Sequence, residues 1–155
     1  MDRDQIEKLI ERLEQGSGPD RELDAEIAAA VGWDPLGAPD FWVRWEERVA
    51  IGRRVYLVHS NGERGASVLS PKLTASIDAV VALADRLFPG INWDVSWTGG
   101  EWRPGYIARA RVAMPYSGRG DKEDGLPCEK GEAKTTCRAI LSALLHAVLS
   151  TLEAK

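Results

Sequence analysis

The chain of 155 residues has the length of a single domain with one sizeable hydrophobic core. Its residues are 44% hydrophobic and 28% charged, a composition typical of folded globular proteins rather than disordered or fibrous ones. The formal net charge of -4 argues against a general binder of nucleic-acid polymers or anionic membranes, because such binding depends on Lys and Arg neutralising phosphates. No apolar run reaches the ~20 residues of a membrane span. The first residues lack a secretory-signal pattern, so we expect a cytoplasmic protein.

Cysteine and histidine are rare, with two of each in the chain. The spacing of Cys128 and Cys137 fits neither a zinc-binding pair nor a redox-active pair, and Cys137 lies on the apolar side of the last predicted helix. The sequence also lacks a P-loop, a nucleophile elbow, a zinc-protease motif and a dinucleotide-binding glycine pattern. We therefore expect no metal, no cofactor and no enzymatic activity.

The hydrophobic pattern divides the chain into helices and strands. Apolar residues at helical spacing, with Asp20 as an N-cap, predict helices over residues 4–13, 20–31, 74–88 and 132–155. Alternating apolar residues predict strands over residues 55–59, 91–98 and 106–114. The dipeptides Asn61-Gly62 and Gly99-Gly100 are typical of hairpin turns, and the last two strands are expected to pair.

This order of elements predicts an α+β fold of one domain over residues 1–155. Strands joined by short turns favour an antiparallel sheet packed with helices as an α-β-α sandwich. In this hypothesis the apolar stripes of the last three helices all face one sheet, built around Tyr56, residues 93–97 and residues 106–114. Residues 1–17 form an N-terminal helical extension. Residues 115–131 contain four glycines and two prolines, which indicates an exposed, mobile loop.

Two arginines stand out on the strand over residues 106–114. Alternation places Arg109 and Arg111 on one face, while Ala108 and Ala110 lie on the other. The strand rise separates the two guanidinium groups by ~7 Å. Guanidinium groups suit bidentate contact with phosphate oxygens, which makes this pair the leading candidate for an anion contact. The alternative is that both arginines pair with surface carboxylates.

Other candidate ligand contacts lie elsewhere in the chain. Arg119 lies between two glycines in a stretch that resembles a flexible anion clamp, with a solvated loop tip as the alternative. Lys134 and Arg138 form a basic pair near the start of the last predicted helix, whose N-terminus also attracts anions. Trp97 and Trp102 are candidate stacking surfaces for a base, with core packing as the alternative.

Three segments, in this order, resemble the small phage and prophage proteins of the phage ABA sandwich domain family. They are residues 18–33 (GPDRELDAEIAAAVGW), 73–83 (LTASIDAVVAL) and 136–144 (TCRAILSAL). The resemblance covers most of residues 18–150, although the predicted loop at 115–131 is longer than the connections expected in the family. The family is associated with Thoeris anti-defence proteins, oligomeric "sponges" that bind cyclic ADP-ribose signals without cleaving them.

The resemblance implies a phage anti-defence protein of the host cytoplasm that sequesters a small cyclic nucleotide as a homo-oligomer. Arginines that bind phosphate groups and aromatic rings that stack on the base would fit this role. They also fit a structural or protein-interaction module of a phage, in which tryptophans lie at subunit contacts and Arg109 and Arg111 form salt bridges. A hydrolase that degrades the signal is a third class. It needs an acid, a base or a metal site that the sequence does not reveal.

Overall fold

The computed structural model describes residues 2–33, 47–58, 61–98, 107–113 and 128–153. Within these ranges the chain forms four helices and six strands, which confirms the α+β class predicted from the sequence. The helices are α1 (Arg3–Gln15), α2 (Arg21–Ala30), α3 (Ile77–Leu87) and α4 (Thr136–Glu153). The strands are β1 (Glu47–Ile51), β2 (Arg54–Val58), β3 (Arg64–Leu69), β4 (Asn92–Thr98), β5 (Ile107–Ala113) and β6 (Cys128–Ala133).

The strands form two three-stranded antiparallel sheets instead of the single sheet expected. Sheet A has the order β1-β2-β3 and sheet B has the order β4-β5-β6. The expectation that Tyr56 shares a sheet with residues 93–97 is therefore wrong. Each sheet is completed by strands that the hydrophobic pattern did not reveal, β1 and β3 in sheet A and β6 in sheet B. Each sheet therefore has three strands of its own, and no described strand of one sheet pairs with a strand of the other.

The hairpin between β2 and β3 follows the predicted turn signal, whereas the turn between β1 and β2 at residues 52–53 was not predicted. Asn61-Gly62 lies between β2 and β3, and Gly62 has a φ of 81°, a left-handed conformation that favours glycine. Strands β4 and β5 pair in continuous antiparallel register, with Trp93 opposite Val112, as the alternation predicted. The turn expected at Gly99-Gly100 lies outside the described residues.

Side-chain caps set the starts of α1, α2 and α3, and the caps of α2 and α3 bear on the predicted helix boundaries. Asp20 caps α2 as predicted, because its carboxylate accepts hydrogen bonds from the backbone N–H groups of Glu22 and Leu23. The helix predicted from residue 74 begins later, at Ile77, because the hydroxyl of Ser76 accepts a hydrogen bond from the backbone N–H of Ala79.

The last helix and the loop before it also differ from the prediction. Helix α4 begins at Thr136 rather than at residue 132, because residues 128–133 form β6. Residues 128–131 of the expected mobile loop therefore belong to sheet B, and residues 115–127 lie outside the described part of the chain.

The main core lies between α1, α3, α4 and sheet B. Helix α1 buries Ile6, Leu9, Ile10 and Leu13 in it, so residues suggested as an extension are part of the core. Helix α2 is buried on two sides. Leu23 and Ile27 belong to the main core, whereas Ala25 and Ala28 pack against Val55 of sheet A in a second, smaller cluster. Helix α2 therefore joins the two sheets. None of the described helices is both long enough and apolar enough to cross a bilayer.

Candidate functional site

Sheet B has one face covered by α4 and one face open to solvent. On β5, Ala108, Ala110 and Val112 are buried on the helix side, while Arg109 and Arg111 are exposed on the other. The alternation predicted from the sequence is therefore confirmed for this strand. We call the exposed side the outer face of sheet B.

Small residues let α4 lie directly on sheet B. Gly131 of β6 pairs with Ala110 of β5, and both are buried beneath the helix. A Cβ atom on Gly131 would come within 3.0 Å of Ala139 O, Ala143 N and Ser142 Cβ. Because two of these are backbone atoms of α4, no side-chain rotation can make room. This close contact fixes β6 against the helix and so fixes the outward direction of the side chains on either side of Gly131.

The outer face of sheet B brings together three cationic side chains. Lys130 lies directly opposite Arg111 in the register of β5 and β6, and Glu132 lies opposite Arg109. Like charges directly opposite each other destabilise a pair of strands. On the other side of Arg111, β4 contributes Asp94. The arrangement is therefore a cationic centre at Arg111 and Lys130, bordered by two carboxylates.

Arg109 is already engaged in an ion pair. Its Nε atom lies 2.6 Å from Oε1 of Glu132, and both side chains are about half exposed. The structure therefore contains the salt bridge between Arg109 and a surface carboxylate that the sequence analysis gave as the alternative to an anion contact. An exposed pair of this kind contributes only ~0–1 kcal/mol to stability, so a stronger anion can displace the carboxylate.

The charged residues surround a depression of about 300 Å³. Its lining includes Ser96 of β4, Arg109 and Arg111 of β5, and Lys130 and Glu132 of β6. Lys130 is not among the candidate ligand contacts predicted from the sequence, because the sequence predicts a loop over residues 115–131, whereas residues 128–131 belong to β6. The alternation of Lys130 and Glu132 with small residues was a weak strand signal. Its pairing with β5 is not visible in the sequence.

Of the remaining candidates, the structure places the backbone of Trp97 and the side chain of Lys134. Trp97 pairs in register with Ala108, a position that alternates with the arginine positions. Lys134 is exposed between β6 and α4 and does not line the depression. Trp102 and Arg119 lie outside the described residues.

Arg138 is an interior residue and not a surface anion contact. Arg138 is only 3% exposed. Its Nε and Nη2 atoms donate hydrogen bonds to the carbonyl of Gly18 at 2.8 and 2.6 Å. Nη1 donates to the carbonyls of Arg12 and Leu13 at the end of α1. Burial lowers the pKa of Arg138, and the nearby Asp20 and Asp24 act in the opposite direction. The predicted basic pair of Lys134 and Arg138 is therefore wrong, because this guanidinium caps the C-terminal end of α1.

A second depression, of about 420 Å³, lies between α1, α4 and β6 and is mainly acidic. Among its residues, Glu14 accepts a hydrogen bond from the hydroxyl of Ser142 at 2.8 Å, and His146 Nε2 lies 3.7 Å from the same oxygen. This is not the order of a catalytic triad, in which the serine hydroxyl bonds to the imidazole. The groups stabilise the contact between α1 and α4.

Cys137 lies at the edge of the main core, as expected from the apolar stripe of α4. Burial raises the pKa of its thiol, with a smaller raising effect from Asp24 and a lowering effect from a backbone hydrogen bond. A protonated thiol is a weak nucleophile, so the surroundings of Cys137 do not activate it. Within the described ranges, no group of three or more His, Cys, Asp and Glu residues is arranged to hold a metal ion.

Comparison of the chain with protein-family models, curated proteins and solved structures finds no match. The resemblance to the phage ABA sandwich domain, and the function that it implies, therefore stay predictions.

Proposed function

We propose that the protein binds a small phosphorylated ligand on the outer face of sheet B and releases it unchanged. The observation that carries this proposal is the direct opposition of Arg111 and Lys130 beside Arg109, around one depression. A phosphate placed between the opposed cations can accept charge-assisted hydrogen bonds from both of them. The hydroxyl of Ser96 adds a neutral donor at the edge of the same depression.

Glu132 makes the depression selective for strong anions. Its carboxylate holds Arg109 when no ligand is bound, so a ligand must compete with it. A phosphate group offers more acceptor oxygens than a carboxylate and binds a guanidinium in the same bidentate manner. A ligand with two phosphate groups can use Arg111 and Lys130 for one group and displace Glu132 from Arg109 with the other.

The family resemblance supports a narrower ligand class. It favours a cyclic nucleotide of the cyclic ADP-ribose type, bound without cleavage by a phage anti-defence protein in the host cytoplasm. The ion pair between Arg109 and Glu132 favours a second candidate function, a non-enzymatic structural or protein-interaction module in which these charges only stabilise the sheet.

Isothermal titration calorimetry with inorganic pyrophosphate, cyclic ADP-ribose isomers and cyclic dinucleotides separates the two candidates. We expect binding of at least one of them, with affinity reduced about tenfold or more in Arg111→Ala and Lys130→Ala, since each loses a charged hydrogen bond. Glu132→Gln is expected to bind more tightly, because Arg109 is released. Lys72→Ala, an exposed change outside the depression, serves as the control.

The outcomes distinguish the function from the site. No heat with any of these compounds would remove the binding function and leave the interaction module. Binding that Arg111→Ala and Lys130→Ala leave undiminished would place the ligand elsewhere. Mass spectrometry of the ligand recovered from the complex should show it intact, and a cleaved product would favour the hydrolase instead.

Self-association stays a prediction, motivated by the six tryptophans and by the family resemblance. Aromatic residues are enriched at protein interfaces, and Trp93 on β4 is 39% exposed. We expect native mass spectrometry at micromolar concentration to show a homo-oligomer. A spectrum with only monomer would contradict this expectation.

A further inference from the structure

The outer face of sheet A carries more large apolar side chains than the outer face of sheet B. Val49, Ile51, Tyr56 and Leu69 share this face in the strand register, while α2 packs against the opposite face. Leu69 is 61% exposed and Ile51 is 40% exposed. Solvent-facing sides of antiparallel sheets usually present polar side chains. Large aliphatic side chains gathered on one open face are typical of an interaction surface.

Two arginines are the charged residues on this face whose side chains the structure describes. Arg54 lies opposite Leu69 in the register and donates to the hydroxyl of Ser67 at 2.9 Å. The guanidinium carbon of Arg64 lies 5.9 Å from the centre of the Tyr56 ring. Neither arginine pairs with a carboxylate among the side chains that the structure describes. The face therefore combines apolar surface with positive charge, in a protein whose net charge is -4.

We propose that the outer face of sheet A docks an acidic amphipathic helix of another protein. Apolar side chains of that helix would cover Ile51 and Leu69, and its carboxylates would pair with Arg54 and Arg64. Adjacent strands lie about 4.8 Å apart, so three strands span about 10 Å between the outer two, which one helix of about 10 Å diameter covers. Helices cover the inner faces of both sheets in the same manner.

A second copy of the chain is a poorer occupant of this face. In a two-fold dimer, identical surfaces meet, which would bring Arg54 and Arg64 of both copies together, and none of the described side chains that share this face in the strand register is a carboxylate. Like charges juxtaposed at an interface oppose association. A partner that supplies carboxylates avoids this cost. Docking here does not depend on the proposed anion site, because the two surfaces belong to different sheets.

Fluorescence anisotropy with two labelled synthetic peptides tests this proposal. Both peptides repeat leucine at helical spacing, and the positions between the leucines are glutamate in one peptide and lysine in the other. We expect the full-length protein to bind the glutamate peptide at least about tenfold more tightly than the lysine peptide. The affinity should fall as the salt concentration rises, because the paired charges are exposed.

Variants locate the binding on sheet A. Leu69→Ser should weaken binding of the glutamate peptide, and the double variant Arg54→Glu/Arg64→Glu should prefer the lysine peptide. The control double variant Lys8→Glu/Lys72→Glu reverses the same amount of charge at exposed positions elsewhere and should keep the preference for the glutamate peptide.

Equal binding of the two peptides, or binding of neither, would overturn the proposal. It would also be overturned if analytical ultracentrifugation showed a dimer that Leu69→Ser converts to monomers, because a second copy would then occupy this face. A glutamate preference that survives Arg54→Glu/Arg64→Glu would place the peptide elsewhere on the protein.

Discussion

Replacing Gly131 with valine is expected to destabilise the protein by more than about 3 kcal/mol, the upper end of typical overpacking costs. A Cβ atom at this position would meet the backbone of α4 at Ala139 and Ala143. Relief requires β6 and α4 to move apart, which would open the main core between them. Urea unfolding followed by circular dichroism measures the effect, and insoluble expression would be its extreme form.

Gly18→Ala is the matched control for this change. A Cβ atom on Gly18 meets no atom within 4 Å, and its backbone does not adopt the left-handed conformation. We expect its free energy of unfolding to stay within about 0.5 kcal/mol of the wild-type value. If Gly131→Val unfolded at the wild-type midpoint, α4 could not lie on β6 as described.

Replacing Arg138 with methionine is expected to cost about 2–4 kcal/mol of stability, because carbonyl groups that are buried or partly buried lose charged hydrogen-bond donors. The carbonyls of Arg12, Leu13 and Gly18 all accept hydrogen bonds from this guanidinium. Methionine fills a similar volume, so the loss comes from the hydrogen bonds and not from a cavity. Thermal or urea unfolding measures it.

Two further variants make the Arg138 result specific. Arg138→Lys keeps the charge but not the planar fork of donors, so it should lie between the wild type and Arg138→Met in stability. Lys134→Met removes the same charge at an exposed position four residues earlier and should change stability by less than about 0.5 kcal/mol. Equal effects of Arg138→Met and Lys134→Met would show that Arg138 does not cap α1.

Features that depend on neighbouring residues were predictable from the sequence. The carboxylate of Asp20 caps the helix that follows it, and Asn61-Gly62 joins two strands. Alternation on β5 correctly placed Arg109 and Arg111 on the exposed face. In each case the deciding contacts lie within a few positions of the residue, where propensity and periodicity apply.

Features that depend on distant residues were not predictable. The sequence of β6 lacks apolar alternation because its inward positions, Gly131 and Ala133, are small enough to admit α4. The segment that forms β6 therefore resembles a loop in the sequence, and for this reason Lys130 is absent from the predicted site. Arg138 resembled a surface cation because its partners are backbone carbonyls, which leave no mark on side-chain patterns.

The contact between α1 and α4 also constrains when the protein can fold. Arg138 bonds to the carbonyl of Arg12, 126 residues earlier in the chain. During synthesis, the apolar stripe of α1 therefore emerges from the ribosome long before the helix that covers it. Contacts of such long sequence separation form slowly, and exposed apolar stripes favour aggregation in the meantime. The main core is thus completed only after α4 has been translated, and until then the apolar stripe of α1 lacks the helix that covers it.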